Sequence, residues 1–76
     1  MLSMFKKRSK FGRFLDTFGI KQERVREVSK LNRETVSRAC NDDEYIPNGG
    51  TIRSLMQAAR KLTGKDDIDP TKFWPM

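Results

Sequence analysis

Seventy-six residues with 16 basic and 10 acidic side chains, no histidine and one cysteine, Cys40, suit one small hydrophobic core, because a domain of this size buries roughly 60–65% of its unfolded surface. They argue against a second domain, an intrachain disulfide, a zinc site of the usual four-ligand kind and the commonest general base. With 36% hydrophobic and 34% charged residues the composition is polar but globular, and no apolar run suits a signal peptide or a membrane span, so the expected setting is the cytoplasm.

The chain opens on a basic arm, residues 1–8, ahead of a single domain expected over 9–76. Through residue 13 there are five basic side chains and no acid; residues 14–41 hold six and four, and residues 42–76 five and six. The whole net charge of +6 therefore lies in the first half, where a polyanion, nucleic acid first, is expected to dock. Charge alone fits a solubilising tail equally well.

At about 100° per residue, Phe11, Phe14, Leu15 and Phe18 share one arc and predict an amphipathic helix. Ser9 or Ser3 caps it, and Gly19 stops it. A short helix follows over Gln22–Ser29, inserting Val25 and Val28, and then Leu31 after a brief break. Asn32 is a favoured cap for a third helix reaching about Cys40, with Asn41 as its stop. Residues 42–50 combine an acidic cluster, Pro47 and two glycines and read as a loop. From Thr51, taken as a cap, Ile52, Leu55, Met56, Ala59 and Leu62 define the clearest amphipathic helix, ended by Gly64. Asp69-Pro70 then predicts a cap and first position of a single turn that carries Phe73 and Trp74 back onto the core. No strand-like alternation is present.

Two short helices separated by about three residues are what a helix-turn-helix requires, one helix bracing across a DNA backbone while the next enters the major groove. The third helix is correspondingly two-sided. Arg33, Glu34, Ser37, Arg38 and Asn41 fall on one face, and Thr35, Val36, Ala39 and Cys40 on the other. Arginine suits guanine, a carboxylate suits the cytosine amino group, and serine suits either role. Gln22, Thr35 and Asn41, short or amide side chains at helix ends, suit phosphate oxygens. An ordinary solvated helix would show the same periodicity.

The stretch from Lys21 to Asn41, with Gln22-Glu23 and Leu31-Asn32-Arg33-Glu34-Thr35-Val36-Ser37-Arg38, resembles the helix-turn-helix of the phage Cro/CI repressor family. Pro47 and the helix from Thr51 also suit that family. The resemblance implies an all-α, five-helix, lambda-repressor-like DNA-binding domain and a repressor role. It implies base contacts from Arg33, Glu34, Ser37 and Arg38. It implies phosphate contacts from Gln22 and Asn41; residue type and position add Asn32 and Thr35 as expected phosphate contacts, and the acid-free charge of the basic segment adds Lys6, Lys7, Arg8 and Lys10. The expected partner is double-stranded DNA, on which two copies could pair as a homodimer. Two positions depart from the pattern: Arg26 stands where the family prefers alanine and Lys30 where it prefers a turn glycine. A residue other than glycine at positive φ costs about 1 kcal/mol.

A second function class is a protein-interaction module, an antitoxin or a regulator-binding adaptor, using Tyr45, Ile46, Phe73 and Trp74. An enzyme is not expected, since no nucleophile–base pair, phosphate loop or metal cluster is evident; Asp42, Asp43 and Glu44 lack calcium-loop spacing. No cofactor is expected. Cys40 reads as a small buried hydrophobe.

Overall fold

The computed structural model describes residues 8–75: four α-helices, α1 (Lys10–Thr17), α2 (Gln22–Ser29), α3 (Arg33–Asn41) and α4 (Gly49–Thr63), followed by a 3-10 turn over Pro70–Lys72. No strand occurs among the described residues. Arm residues 1–7, with Lys6 and Lys7, lie outside them.

Three of the helices and the turn begin where a short polar side chain accepts from the first turn. Ser9 Oγ accepts from the Gly12 N–H at 3.0 Å, Asn32 Oδ1 from Thr35 at 2.8 Å, Asn48 Oδ1 from Thr51 at 2.9 Å and an Asp69 carboxylate oxygen from Thr71 at 3.0 Å. The third of these corrects an expectation: α4 starts at Gly49, capped by Asn48, rather than after Thr51. The carboxamide of Asn48 reaches the N–H three residues on, and this draws Gly49 and Gly50 out of the loop into a first helical turn. At the other end, Gly64 adopts the left-handed conformation, φ 74°, and stops the helix as read.

In the core, α2 lies against both α3 and α4, and α1 lies against α3. Phe11, Leu15, Val25, Val36, Ala39, Ile52, Leu55 and Ala59 are buried as their spacing predicts, and Phe14, Val28, Leu31 and Leu62 pack half-buried around them. Phe18 does not join the core. It is the C-cap of α1, the chain turns away at Gly19 (φ 69°), and the ring is left 39% exposed between Phe14 and the Lys65 ammonium. Trp74, only 3% exposed, closes the core instead, its ring 5.2 Å from that of Phe11. Phe73 bridges Phe11 and Phe14 at 5.4 and 5.2 Å. Arg60 Nη2 donates to the Ile68 carbonyl at 3.0 Å, tying α4 to the segment that leads into this aromatic cluster. No helix among the described residues is long and apolar enough to cross a membrane.

Cys40 is fully buried. Burial pushes its thiol up from 9.0 to about 11, against a smaller downward pull from the Arg8 charge and a small upward push from Asp16. Because the raised group favours the neutral thiol, its contribution to stability is intact below the unfolded value and is lost as pH rises from about 9 through about 11. Denaturant titrations of wild type and Cys40→Ala at pH 8 and 11 should therefore differ. The wild type is expected to lose roughly 2–3 kcal/mol more than the variant on going to alkaline pH, and equal losses would place the thiol in contact with water.

Candidate nucleic-acid interface

The connection between α2 and α3 is made by three residues. Lys30 takes φ 65° and ψ 15°, and its N–H donates to the Arg26 carbonyl at 3.0 Å. It is the non-glycine residue at positive φ among the described residues, so the turn keeps the backbone shape that a glycine would supply and accepts a strain of about 1 kcal/mol. The Leu31 N–H donates to Ser29 Oγ at 3.2 Å while its side chain packs on the core, and Asn32 immediately caps α3.

The two faces of α3 separate as the periodicity predicts. Val36, Ala39 and Cys40 are buried, while Arg33, Glu34 and Arg38 are exposed. Ser37 and Asn41 are half-buried along one border of the polar face, and Thr35 is half-buried near the helix start. Asn32 Oδ1 and the Thr35 N–H are engaged with one another in the cap. Among the described residues no ion pair or hydrogen bond occupies the Arg33 or Glu34 side chain.

The far end of α3 is held by α1. Carbonyls in the last turn of a helix lack intrahelical partners, and here Ser9 supplies two: its Oγ donates to the Ala39 carbonyl and its N–H to the Cys40 carbonyl at 3.1 Å. The approach is so close that a Cβ on Gly12 would lie 2.1 Å from the Cys40 oxygen. Beside this junction, Arg8 Nη1 donates to Asn41 Oδ1. Asn41 Nδ2 in turn lies 3.4 Å from Gln22 Oε1 and 3.4 Å from Ser37 Oγ. Four of the residues singled out in the sequence, Arg8, Gln22, Ser37 and Asn41, thus meet in one network linking the starts of α1 and α2 to the end of α3.

Arg38 has a support that the sequence did not reveal. Its guanidinium lies 4.9 Å from the centre of the Tyr45 ring, a cation–π arrangement that holds the exposed charge over the loop following α3. On α2, Arg24 pairs with Glu27 at 2.9 Å and Arg26 with Glu23 at 3.8 Å. These surface pairs contribute little to stability. Lys10, the first residue of α1, is exposed.

No family model, curated protein or solved structure matches this chain.

Chemically, the surface offers two cations, a carboxylate and a hydroxyl on one helix, bordered by two carboxamides. It is equipped for hydrogen bonding and charge neutralisation. Among the described residues, no three side chains of the His, Cys, Asp and Glu types converge as a metal site would require. Gly12 and Asp16 are supporting residues missed in the sequence, while Ser9, read there as the cap of α1, and Tyr45, read as part of an interaction surface, were given no part in this site. A glycine inside an otherwise well-patterned helix was the available signal for Gly12, since it often marks a close packing approach. Nothing in local spacing connects Asp16 to Arg8 or Tyr45 to Arg38.

Proposed function

We propose that the protein is a sequence-specific regulator that binds double-stranded DNA through a helix-turn-helix, in the lambda-repressor-like arrangement of the phage Cro/CI family, and represses by occupying an operator. The observation that carries this reading is α3 itself: capped directly after a three-residue turn from α2, it buries Val36, Ala39 and Cys40 and turns Arg33, Glu34 and Arg38 outward. The resemblance of the α2–α3 stretch supports the repressor role. In this reading Arg33, Glu34, Ser37 and Arg38 address base edges, while Gln22, Asn32 and Thr35 hold the register on phosphates and Asn41, engaged with Arg8, Ser37 and Gln22, braces Gln22. Lys6, Lys7 and Lys10 add sequence-independent attraction. Because one such unit reads only a few base pairs, two copies occupy a nearly palindromic site with half-sites about 10 base pairs apart. The protein works in the cytoplasm.

Binding selections on random duplex DNA test this. Arg33→Ala should cost about 1–3 kcal/mol at the preferred site and relax the preference at one base pair in each half-site. Gln22→Ala should weaken preferred and random DNA by similar factors and leave the ranking of sequences unchanged. If Arg33→Ala and Arg38→Ala both keep the wild-type preference while folded, α3 does not read bases.

A further inference from the structure

We propose that Arg8 is a positioning residue that, acting through Asn41, fixes Gln22 as a hydrogen-bond donor toward an anionic oxygen; this rests on the DNA-binding reading above and deepens it. A guanidinium carries only donors, whereas a carboxamide has an acceptor oxygen on one side and two N–H groups on the other. Arg8 meets Asn41 through Nη1, so the Asn41 atom facing it must be Oδ1. That choice turns Asn41 Nδ2 to the opposite side, toward Gln22 Oε1 and Ser37 Oγ. Gln22 then has its oxygen committed to Asn41 and its Nε2 left with two N–H groups to donate. An amide presenting N–H groups suits a phosphate oxygen, while one presenting its carbonyl would set acceptor against acceptor.

Asp16 anchors the start of this chain of bonds. Its Oδ2 lies 2.9 Å from Arg8 Nε, its Oδ1 accepts from Nη2 at 3.2 Å, and the Gly12 carbonyl accepts from the same nitrogen at 3.4 Å. The guanidinium is thereby oriented and its charge matched, so Arg8 influences Gln22 through geometry rather than as a free cation. Donors and acceptors run one way, from Arg8 to Asn41 to Gln22. Reversing the Asn41 amide would place donor against donor at one end and acceptor against acceptor at the other. This assigns Arg8 a different part from the direct phosphate contact expected from the sequence.

The test uses the full chain, a mixed-sequence duplex of roughly two helical turns, and the double variant Arg8→Met with Asp16→Asn, which removes the guanidinium without altering net charge. In the free wild-type protein, NMR of the side-chain amides should show Asn41 Nδ2 protons exchanging more slowly than Gln22 Nε2 protons, a difference lost in the variant. With the duplex, affinity should fall about fivefold to tenfold, the scale of one hydrogen bond. The salt dependence should be unchanged, and adding Gln22→Ala should cause no further loss. A salt slope shallower by about 0.9 would make Arg8 itself a phosphate contact and overturn the proposal, as would additive losses with Gln22→Ala or equal exchange of the two amides in the wild type. The wild-type exchange comparison decides the case even if the double variant fails to fold. Slow Asn41 exchange in a protein with no affinity for the duplex would support the relay and overturn the DNA reading alone.

Discussion

Gly12→Ala should destabilise the domain by on the order of 3 kcal/mol, in the direction opposite to helix propensity. In an isolated helix alanine is favoured over glycine by about 1 kcal/mol, so an unconstrained site would gain from the change. At Gly12 the new Cβ would fall 2.1 Å from the Cys40 carbonyl oxygen and 3.0 Å from its carbon. Both are backbone atoms at the end of α3, and neither can swing aside as a side chain would. Relief requires α1 to lift from α3, which breaks the bonds from Ser9 to the Ala39 and Cys40 carbonyls and adds to the ordinary cost of overpacking. Thermal unfolding should show a fall in Tm of more than about 10 °C. Gly49→Ala is the matched control, because nothing lies within 4 Å of a Cβ there, and it should be neutral or slightly stabilising. A stable Gly12→Ala protein would mean that the α1–α3 junction is looser than described.

Trp74→Ala should cost about 3–5 kcal/mol, as expected for truncating a large buried aromatic. For a domain of this size that is a large share of a total stability of roughly 4–11 kcal/mol. The indole packs on Phe11 at 5.2 Å and on Phe73 at 5.7 Å, so its removal opens the core between α1 and the C-terminal turn. Denaturant unfolding of dilute protein checks this, and the result separates two roles for the residue. A side chain serving an interface between copies would leave the unfolding of a monomer unchanged, whereas a core side chain lowers it at any concentration. Phe18→Ala should be much milder, since that ring is 39% exposed. The burial of Trp74 also removes it from the surface that an interaction module would have used, leaving Ile46 as the more exposed apolar side chain of that set.

The contrast between Phe18 and Trp74 shows where sequence reasoning stops. Periodicity put Phe11, Phe14, Leu15 and Phe18 on one arc, and the capping pair Asp69-Pro70 correctly placed a turn before Phe73 and Trp74. Neither signal says which aromatic wins the limited space beside Phe11, because that depends on how far the C-terminal turn reaches across α1. The two faces of α3, the Asn32 cap and the extent of α2 were legible because each is set by residues within one or two turns of one another. Lys30 was legible as a problem, and the structure keeps the turn at φ 65°. The Ser9 junction, the Arg8 network and the stacking of Arg38 on Tyr45 were not legible. Each joins side chains or carbonyls from different elements, and only the docking of α1 and of the loop after α3 brings them together.

The chain has one tryptophan and one tyrosine, and the fold assigns them to opposite tasks. Trp74 is sealed among Phe11 and Phe73, whereas Tyr45 lies half-buried under the Arg38 guanidinium. Indole emission therefore reports whether the core is intact, and phenol absorbance reports what happens to the cation lying above it. The domain carries two built-in optical gauges, so loss of fold and disturbance of α3 can be followed separately in the same cuvette without attaching a dye.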